Sequence, residues 1–215
     1  MHIPDGYISP ATYFTSYVVV LPLWAIAFRK LKHNLDEETL PLVASLAALS
    51  FVIMMFNIPI PGGTSGHALG AALIAILFSP WISFLSLSLV LFIQAVIFGD
   101  GGISSFAVNA LAMGFVASFS ASFVYKKLQN FKYSIFLAGW VSQVASSIVV
   151  ALVLGIQPII ATTATGEPLY FPFGLSATIP ALVGSHILFF GIVEGVFTQF
   201  AYKYLLKLEP KLLKA

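Results

Sequence analysis

The sequence predicts an all-α, multi-pass membrane bundle, and three observations carry that prediction. Of 215 residues, 59% are hydrophobic and only 8% are Asp, Glu, Lys or Arg, with a mean hydropathy of +0.98. A soluble domain carries about 25% charged residues, so this chain has too little polar surface to cover itself in water. Second, the apolar residues gather into runs close to the roughly 20 residues that cross a bilayer as a helix. Third, one threading through the membrane puts all ten basic residues on the same side, as the positive-inside rule requires. The same composition excludes other classes. Twenty Phe, eight Tyr and three Trp are the opposite of a solvating, disordered chain. Ten basic against eight acidic residues leave no basic stripe for nucleic acid. Zero cysteine removes disulfides, thiolate metal sites and thiol nucleophiles together.

Six runs are long enough to span: Pro10 to Phe28, Leu40 to Asn57, Trp81 to Phe98, Ser104 to Tyr125, Tyr133 to Gly155 and Ser176 to Tyr202. A seventh, His67 to Phe78, is short and ends at Ser79-Pro80, where the proline biases the preceding residue away from helix. It counts as a partial crossing because the charges ask for it. With the N-terminus outside and seven crossings, the inner segments hold Arg29, Lys30, Lys32, Lys126, Lys127, Lys132, Lys203, Lys207, Lys211 and Lys214, and the C-terminus is cytoplasmic. Without the short helix the later basic segments fall outside. The outer segments, Met1 to Ser9, Ile58 to Gly66, Gly99 to Ile103 and Ile156 to Leu175, are rich in Gly, Pro and small polar residues and carry Asp5, Asp100 and Glu167. A single membrane domain over 1–215 is expected, with its chemistry on the outer face. The opening Met-His-Ile-Pro-Asp-Gly lacks the basic start of a secretory signal, so the encoded N-terminus is expected to be the mature one. Small residues four apart, Gly66 and Gly70, Ala68 and Ala72, Ala71 and Ala75, are expected to let the short helix pack closely.

The first two residues are the most informative. A free α-amine followed by His2 can close two chelate rings on one ion. The first, five-membered, runs through the Met1 amine and the His2 amide nitrogen; the second, six-membered, through that amide nitrogen and imidazole Nδ1. The three nitrogens lie in one plane, and a deprotonated amide suits metals that favour a square-planar field, Ni(II) or Cu(II), over Zn, Mg or Mn. Pro4 stiffens the exit from such a chelate, and Asp5-Gly6 reads as a turn. His67, at the end of the Gly-rich loop 58–66 and the expected start of the short helix, is the natural fourth ligand. The competing reading makes His2 an incidental exposed residue and His67 a helix-start histidine bonded to Ser or Thr hydroxyls. Ser65 in the loop and Gln94, Asp100 and Asn109 near outer helix ends are candidates to orient the imidazoles from behind, with capping or a tight turn as the alternative.

Four blocks carry a resemblance: Met1-His2-Ile3-Pro4-Asp5-Gly6-Tyr7, Gly62-Gly63-Thr64-Ser65-Gly66-His67, Gln94 with Phe98-Gly99-Asp100-Gly101-Gly102, and His186 with Glu194-Gly195. Together they resemble the substrate-capture subunits of nickel/cobalt energy-coupling factor transporters, the NikM/CbiM family, over essentially the whole chain. The resemblance implies a seven-helix receptor whose N-terminal segment 1–9 inserts into the bundle. It implies that the Met1 amine, the His2 amide and imidazole and the His67 imidazole surround the ion in a nearly square-planar arrangement. It further implies a transmembrane coupling subunit and a pair of cytoplasmic ATPases as partners, with a small accessory membrane subunit as an additional candidate, and residence in a prokaryotic cytoplasmic membrane. The cobalt branch often carries Met-Glu-Gly where this chain has Pro4-Asp5-Gly6. The pattern here is nickel-like, and a square-planar nitrogen site suits Ni(II) independently; Co(II) is the alternative cargo.

Glu194 falls near the middle of the last run, where an ionised carboxylate is expensive, and His186 lies eight residues earlier, about 80° round an α-helix. The expectation is a protonated or hydrogen-bonded pair inside the bundle, neither side chain a ligand, with a polar link to the site or a partner contact as the alternative. Met54, Met55 and Met113 have no ladder spacing and read as packing. No His-Glu-x-x-His, Gly-x-Ser-x-Gly or phosphate-loop pattern occurs, so neither catalysis nor ATP-driven work is expected of this chain. The rival function is a self-sufficient secondary transporter or channel for a small solute, with His186 and Glu194 as a proton relay.

Overall fold

Residues 1–34, 37, 39–60 and 64–208 are described by the computed structural model of the chain. The first nine residues lack regular structure and lead into α1 (Pro10–Asn34), which opens on a proline, a residue preorganised for the first helical position. α2 (Leu40–Met54) also has proline in its first turn. It ends three residues before the expected Asn57, because the chain turns ahead of Pro59 into an antiparallel hairpin of β1 (Ile58–Ile60) and β2 (Thr64–Gly66). The register pairs Ile58 with Gly66, Pro59 with Ser65 and Ile60 with Thr64. The loop expected over 58–66 is therefore a hairpin, a form that suits two β-branched residues alternating across a proline and followed by Gly-rich turn residues. Its tip, Pro61-Gly62-Gly63, lies outside the described residues, as do Lys211 and Lys214.

α3 (Ala71–Leu77) is shorter than expected, and His67 does not open it. Residues 67–70 are irregular, and the helix begins after Gly70, whose φ of +74° is a conformation that favours glycine. Gly66 and Gly70 therefore precede the helix, while Ala71, Ala72 and Ala75 lie on it and are buried. α3 is enclosed by α4 (Pro80–Phe98), α5 (Phe106–Lys127) and α6 (Ser134–Ile160). Ser79 caps α4 as the Ser-Pro pair suggests: its extended backbone turns the chain, its Oγ accepts the Ile82 N–H at 3.1 Å, and Pro80 takes the first position. α7 (Leu175–Leu208) packs along α6. Gly195 permits that approach, since a Cβ there would stand 2.7 Å from the Phe136 carbonyl.

α1, α4, α5, α6 and α7 are each long and apolar enough to cross a bilayer; α2, at 15 residues, is shorter than the full span expected of it. The outward faces carry large apolar side chains such as Val18, Ile97, Leu188 and Phe200, each at least 70% exposed. Such a surface is stable only against lipid or another apolar partner.

The seven helices alternate in direction. The starts of α1, α3, α5 and α7 and the ends of α2, α4 and α6 lie at the same end of the bundle as residues 1–9, through bonds described below. Arg29 and Lys30 near the end of α1, Lys126 and Lys127 at the end of α5, Lys132 just after it, and Lys203 and Lys207 near the end of α7 lie toward the other end of the bundle. Three helices also contain π-helical turns: Gln94–Phe98 in α4, Ala110–Val116 in α5, and Ile179–Gly184 and His186–Phe190 in α7. Gln94 and His186 begin such turns and Asn109 immediately precedes one. A π-turn shifts the phase of the residues around it, and such turns are common at functional sites.

Candidate metal centre

Residues 1–9 are pinned into the bundle group by group. Ile3 is buried, and the Asn109 amide pairs with both of its peptide groups: Oδ1 accepts the Ile3 N–H and Nδ2 donates to the Ile3 carbonyl, each at 3.0 Å. That carbonyl also takes the Gly102 N–H at 2.9 Å and the Ser105 hydroxyl. The Asp5 carboxylate accepts the Ile103 N–H at 3.1 Å and the Ser104 N–H at 2.8 Å. The Ser104 bonds hold this carboxyl below its usual range, against a smaller opposing effect of burial. The Tyr7 carbonyl accepts from Phe171, and the Ser9 N–H donates to Gln157 Oε1 at 2.9 Å. α5, the loop before it, the end of α6 and the approach to α7 thus fix the path of the N-terminus.

That path ends with the Met1 side chain fully buried and its amine donating to the Ser65 carbonyl of β2. The His2 and His67 imidazoles lie beside it, both nearly buried, with ring centroids 4.7 Å apart and planes within 20°. Two imidazoles bound at right angles to one ion through metal–nitrogen bonds of about 2 Å have ring centres roughly 4 to 5 Å apart, so the spacing fits a shared ion. Nδ1 of His67 faces the Ala68 carbonyl at 3.1 Å, which assigns the proton to Nδ1 and leaves Nε2, buried without a partner, as the free donor. Nδ1 of His2 lies 3.2 Å from Asp100 Oδ1. For Nδ1 to close a chelate with the Met1 amine, the ring turns away from that carboxylate. Among the described residues no cluster of three or more His, Asp or Glu side chains could hold an ion. The donors gathered here are two imidazoles and main-chain nitrogens.

The electrostatics suit such donors. Burial lowers the Met1 amine from 8.0 to about 5, with Asp100 pulling weakly the other way, and burial lowers His2 against its contact with Asp100. Both groups are therefore neutral at physiological pH: the amine has its lone pair free, while His2 carries its proton on the Nδ1 that faces Asp100 and offers that nitrogen to an ion only after the ring turns.

The expected supporting residues divide by role. Ser65 takes the Met1 amine, and Asp100 faces His2. Gln94 is fully buried next to His2, with its amide nitrogen against the Met55 sulfur at 3.9 Å. Asn109 is directed to the backbone of Ile3 and not to an imidazole. Asn57, read only as the end of an apolar run, links the set: its Nδ2 donates to Asp100 at 3.0 Å and its Oδ1 accepts the Ser65 hydroxyl at 2.9 Å. Gln143 of α6, also unforeseen, donates to the His67 carbonyl. The only hint of either was a lone amide in an apolar stretch. His186 and Glu194 do not bond each other, contrary to expectation. His186 Nδ1 bonds the Leu182 carbonyl four residues back, inside the π-helical stretch, and the Glu194 carboxylate accepts the N–H groups of Leu69 and Gly70.

Residues 2–212 match the family model of CbiM, the cobalt uptake substrate-specific transmembrane region. The chain belongs to the CbiM family. Within it, the chain is 42% identical over 215 residues to the probable fused nickel transport protein LarMN of Lactiplantibacillus plantarum, a match covering 98% of this chain and 66% of that protein. It is 40% identical to the fused nickel transport protein NikMN of Rhodobacter capsulatus, covering 99% and 64%. The chain thus spans just under two thirds of the length of these fused relatives. It is 39% identical to the putative metal transport protein MJ1569 of Methanocaldococcus jannaschii, where the match covers 99% of this chain and 94% of the relative. A crystal structure of a truncated transition metal transporter is similar at a TM-score of 0.94 and 42% identity, covering 96% of this chain and 99% of that one. The CbiM family and the helical multi-pass membrane architecture both agree with what the sequence led us to expect.

Proposed function

We propose that this CbiM-family chain is the substrate-capture component of a metal-uptake transporter of the energy-coupling factor type, and that its cargo is Ni(II). The observation that carries the reading is the convergence of the buried Met1 amine, His2 and the free Nε2 of His67 at one point. The Met1 amine, the His2 amide nitrogen, His2 Nδ1 and His67 Nε2 supply four nitrogens in one plane, a field that favours Ni(II). Ser65 accepts from the amine, Asp100 faces Nδ1 of the ion-free His2 ring, which turns from it to bind, and Asn57 braces Ser65 and Asp100. Relatives named as nickel transport proteins support the choice of metal. The lysines at the opposite end of the bundle orient the site to the extracytoplasmic side by the positive-inside rule. ATP hydrolysis belongs to cytoplasmic partner subunits reached through a transmembrane coupling subunit, with a small accessory membrane subunit as a further partner; this chain is not an enzyme.

Blocking the α-amine decides the matter. Acetylated protein is expected to lose Ni(II) binding in equilibrium dialysis, and unchanged affinity after acetylation would remove the amine from the ligand set. Co(II) is the second reading, favoured by the cobalt-uptake description of the family. Direct competition of the two ions for the purified chain separates them, with Ni(II) expected to win.

A further inference from the structure

Glu194 sits in α7 fully buried, and its two oxygens are spent on the backbone next to His67. Oε2 takes the Leu69 N–H at 2.7 Å and Oε1 takes the Gly70 N–H at 3.0 Å, with Gly70 also 3.3 Å from Oε2. Among the described residues these N–H groups bond no other acceptor. Residues 67–70 are not helical, and the left-handed turn at Gly70 aims consecutive donors at one point, the kind of concavity that binds an anion. Packing alone does not call for a carboxylate here, since a buried carboxylate in a membrane helix is costly. From the other side, Gln143 of α6 holds the His67 carbonyl. The three peptide groups that follow His67 are thus gripped by α6 and α7, whereas Ile3, next after the Met1-His2 pair, is held by Asn109 of α5 and by Ser105 just before that helix, and the Met1 amine bonds the Ser65 carbonyl.

We propose that Glu194 is a positioning residue for ion capture: by holding Leu69 and Gly70 it sets the direction of the His67 imidazole and ties that ligand, alone among the four, to α7. The proposal rests on His67 being a ligand. Its consequence is a donor set divided between two mechanical supports. Displacing α7 against α5 draws His67 out of the coordination plane while leaving the Met1-His2 chelate in place, which gives the transporter a way to loosen the ion by moving one helix.

The test is a Ni(II) titration of the full chain in detergent, read both by competition with a chelator and by the visible absorption of the bound ion. It uses the unmodified protein, Glu194→Gln and Glu194→Ala, each with and without one residue inserted between Met1 and His2. With histidine third, the amine, two amides and the imidazole fill the plane without His67, so the inserted proteins report on folding and on the rest of the site. Glu194→Ala is expected to bind about tenfold to a hundredfold more weakly, the cost typical of removing a group that orients a metal ligand, and to shift the absorption. Glu194→Gln, which keeps one acceptor, is expected to fall between. In the inserted background both substitutions are expected to be silent. Unchanged affinity and spectrum in Glu194→Ala would overturn the proposal, as would an equal loss in both backgrounds, which marks general damage to the fold. No Ni(II) binding by the unmodified protein would instead sink the nickel reading itself, and this proposal with it.

Discussion

At the scale of single residues, the decisive quantity is the proton on Met1. Outside the bundle the amine keeps its proton up to about pH 8, and inside it the proton is lost above about 5. The released form therefore binds more protons between those values, and the inserted form loses stability as pH falls from 8 towards 5, by about 1.4 kcal/mol for each step of one in pH. Without nickel, protection of the α-amine from an amine-reactive reagent is expected to decline steadily over that window; protection independent of pH would contradict the burial of a neutral amine. Nickel affinity has a related signature. With the amine and imidazoles neutral above pH 7, only the amide proton is displaced on binding, so affinity is expected to rise about tenfold per pH unit between 7 and 8. A flat profile would deny amide ligation, and a slope of two or three would mean that the empty site is protonated. The candidate chelate could be proposed from sequence because it needs only the spacing of two adjacent residues. Asn57 and Gln143 were not, because their partners lie eight or more residues away and only the folded chain brings them together.

At the scale of elements, the N-terminal segment behaves as an extra piece of the core held by α5. Asn109→Ala removes the partner of a buried Ile3 N–H, while the Ile3 carbonyl keeps Gly102 and Ser105. The expected cost is about 1–3 kcal/mol of stability, seen in thermal unfolding, together with faster proteolysis within residues 1–9. Equal protection of the segment in this variant would show that Asn109 is not the staple. Between α6 and α7, Gly195→Leu drives a side chain into Phe136 and is expected to destabilise the pair by about 1–3 kcal/mol, whereas Ile97→Leu on the lipid face should leave the melting temperature unchanged. Hydrophobic run length was enough to find most of these helices. It failed where the backbone departs from the period that such a reading assumes. The hairpin shortened α2, the positive φ at Gly70 delayed α3, and the π-turn at His186 breaks the α-helical phase that relates it to Glu194.

At the scale of the molecule, charge asymmetry predicts an orientation that can be tested. The chain has no cysteine, so single cysteines report without interference. Ala164→Cys, exposed at the end that holds the candidate site, and Lys207→Cys, exposed at the basic end, are expected to react with an impermeant thiol reagent from opposite sides of intact cells, Ala164→Cys from outside. Labelling of both from one side would break the alternating arrangement. Purified chain in vesicles without ATP or partners is expected to bind nickel and not accumulate it; accumulation would favour the secondary-transporter reading.

The burial of the Met1 amine against Ser65 also restricts how such a polypeptide can grow. A bulky group added to that amine would have to find room in the packed interior. A group attached to the amine is expected to disturb the buried bond to Ser65, and in the proposed site it would also block a ligand nitrogen.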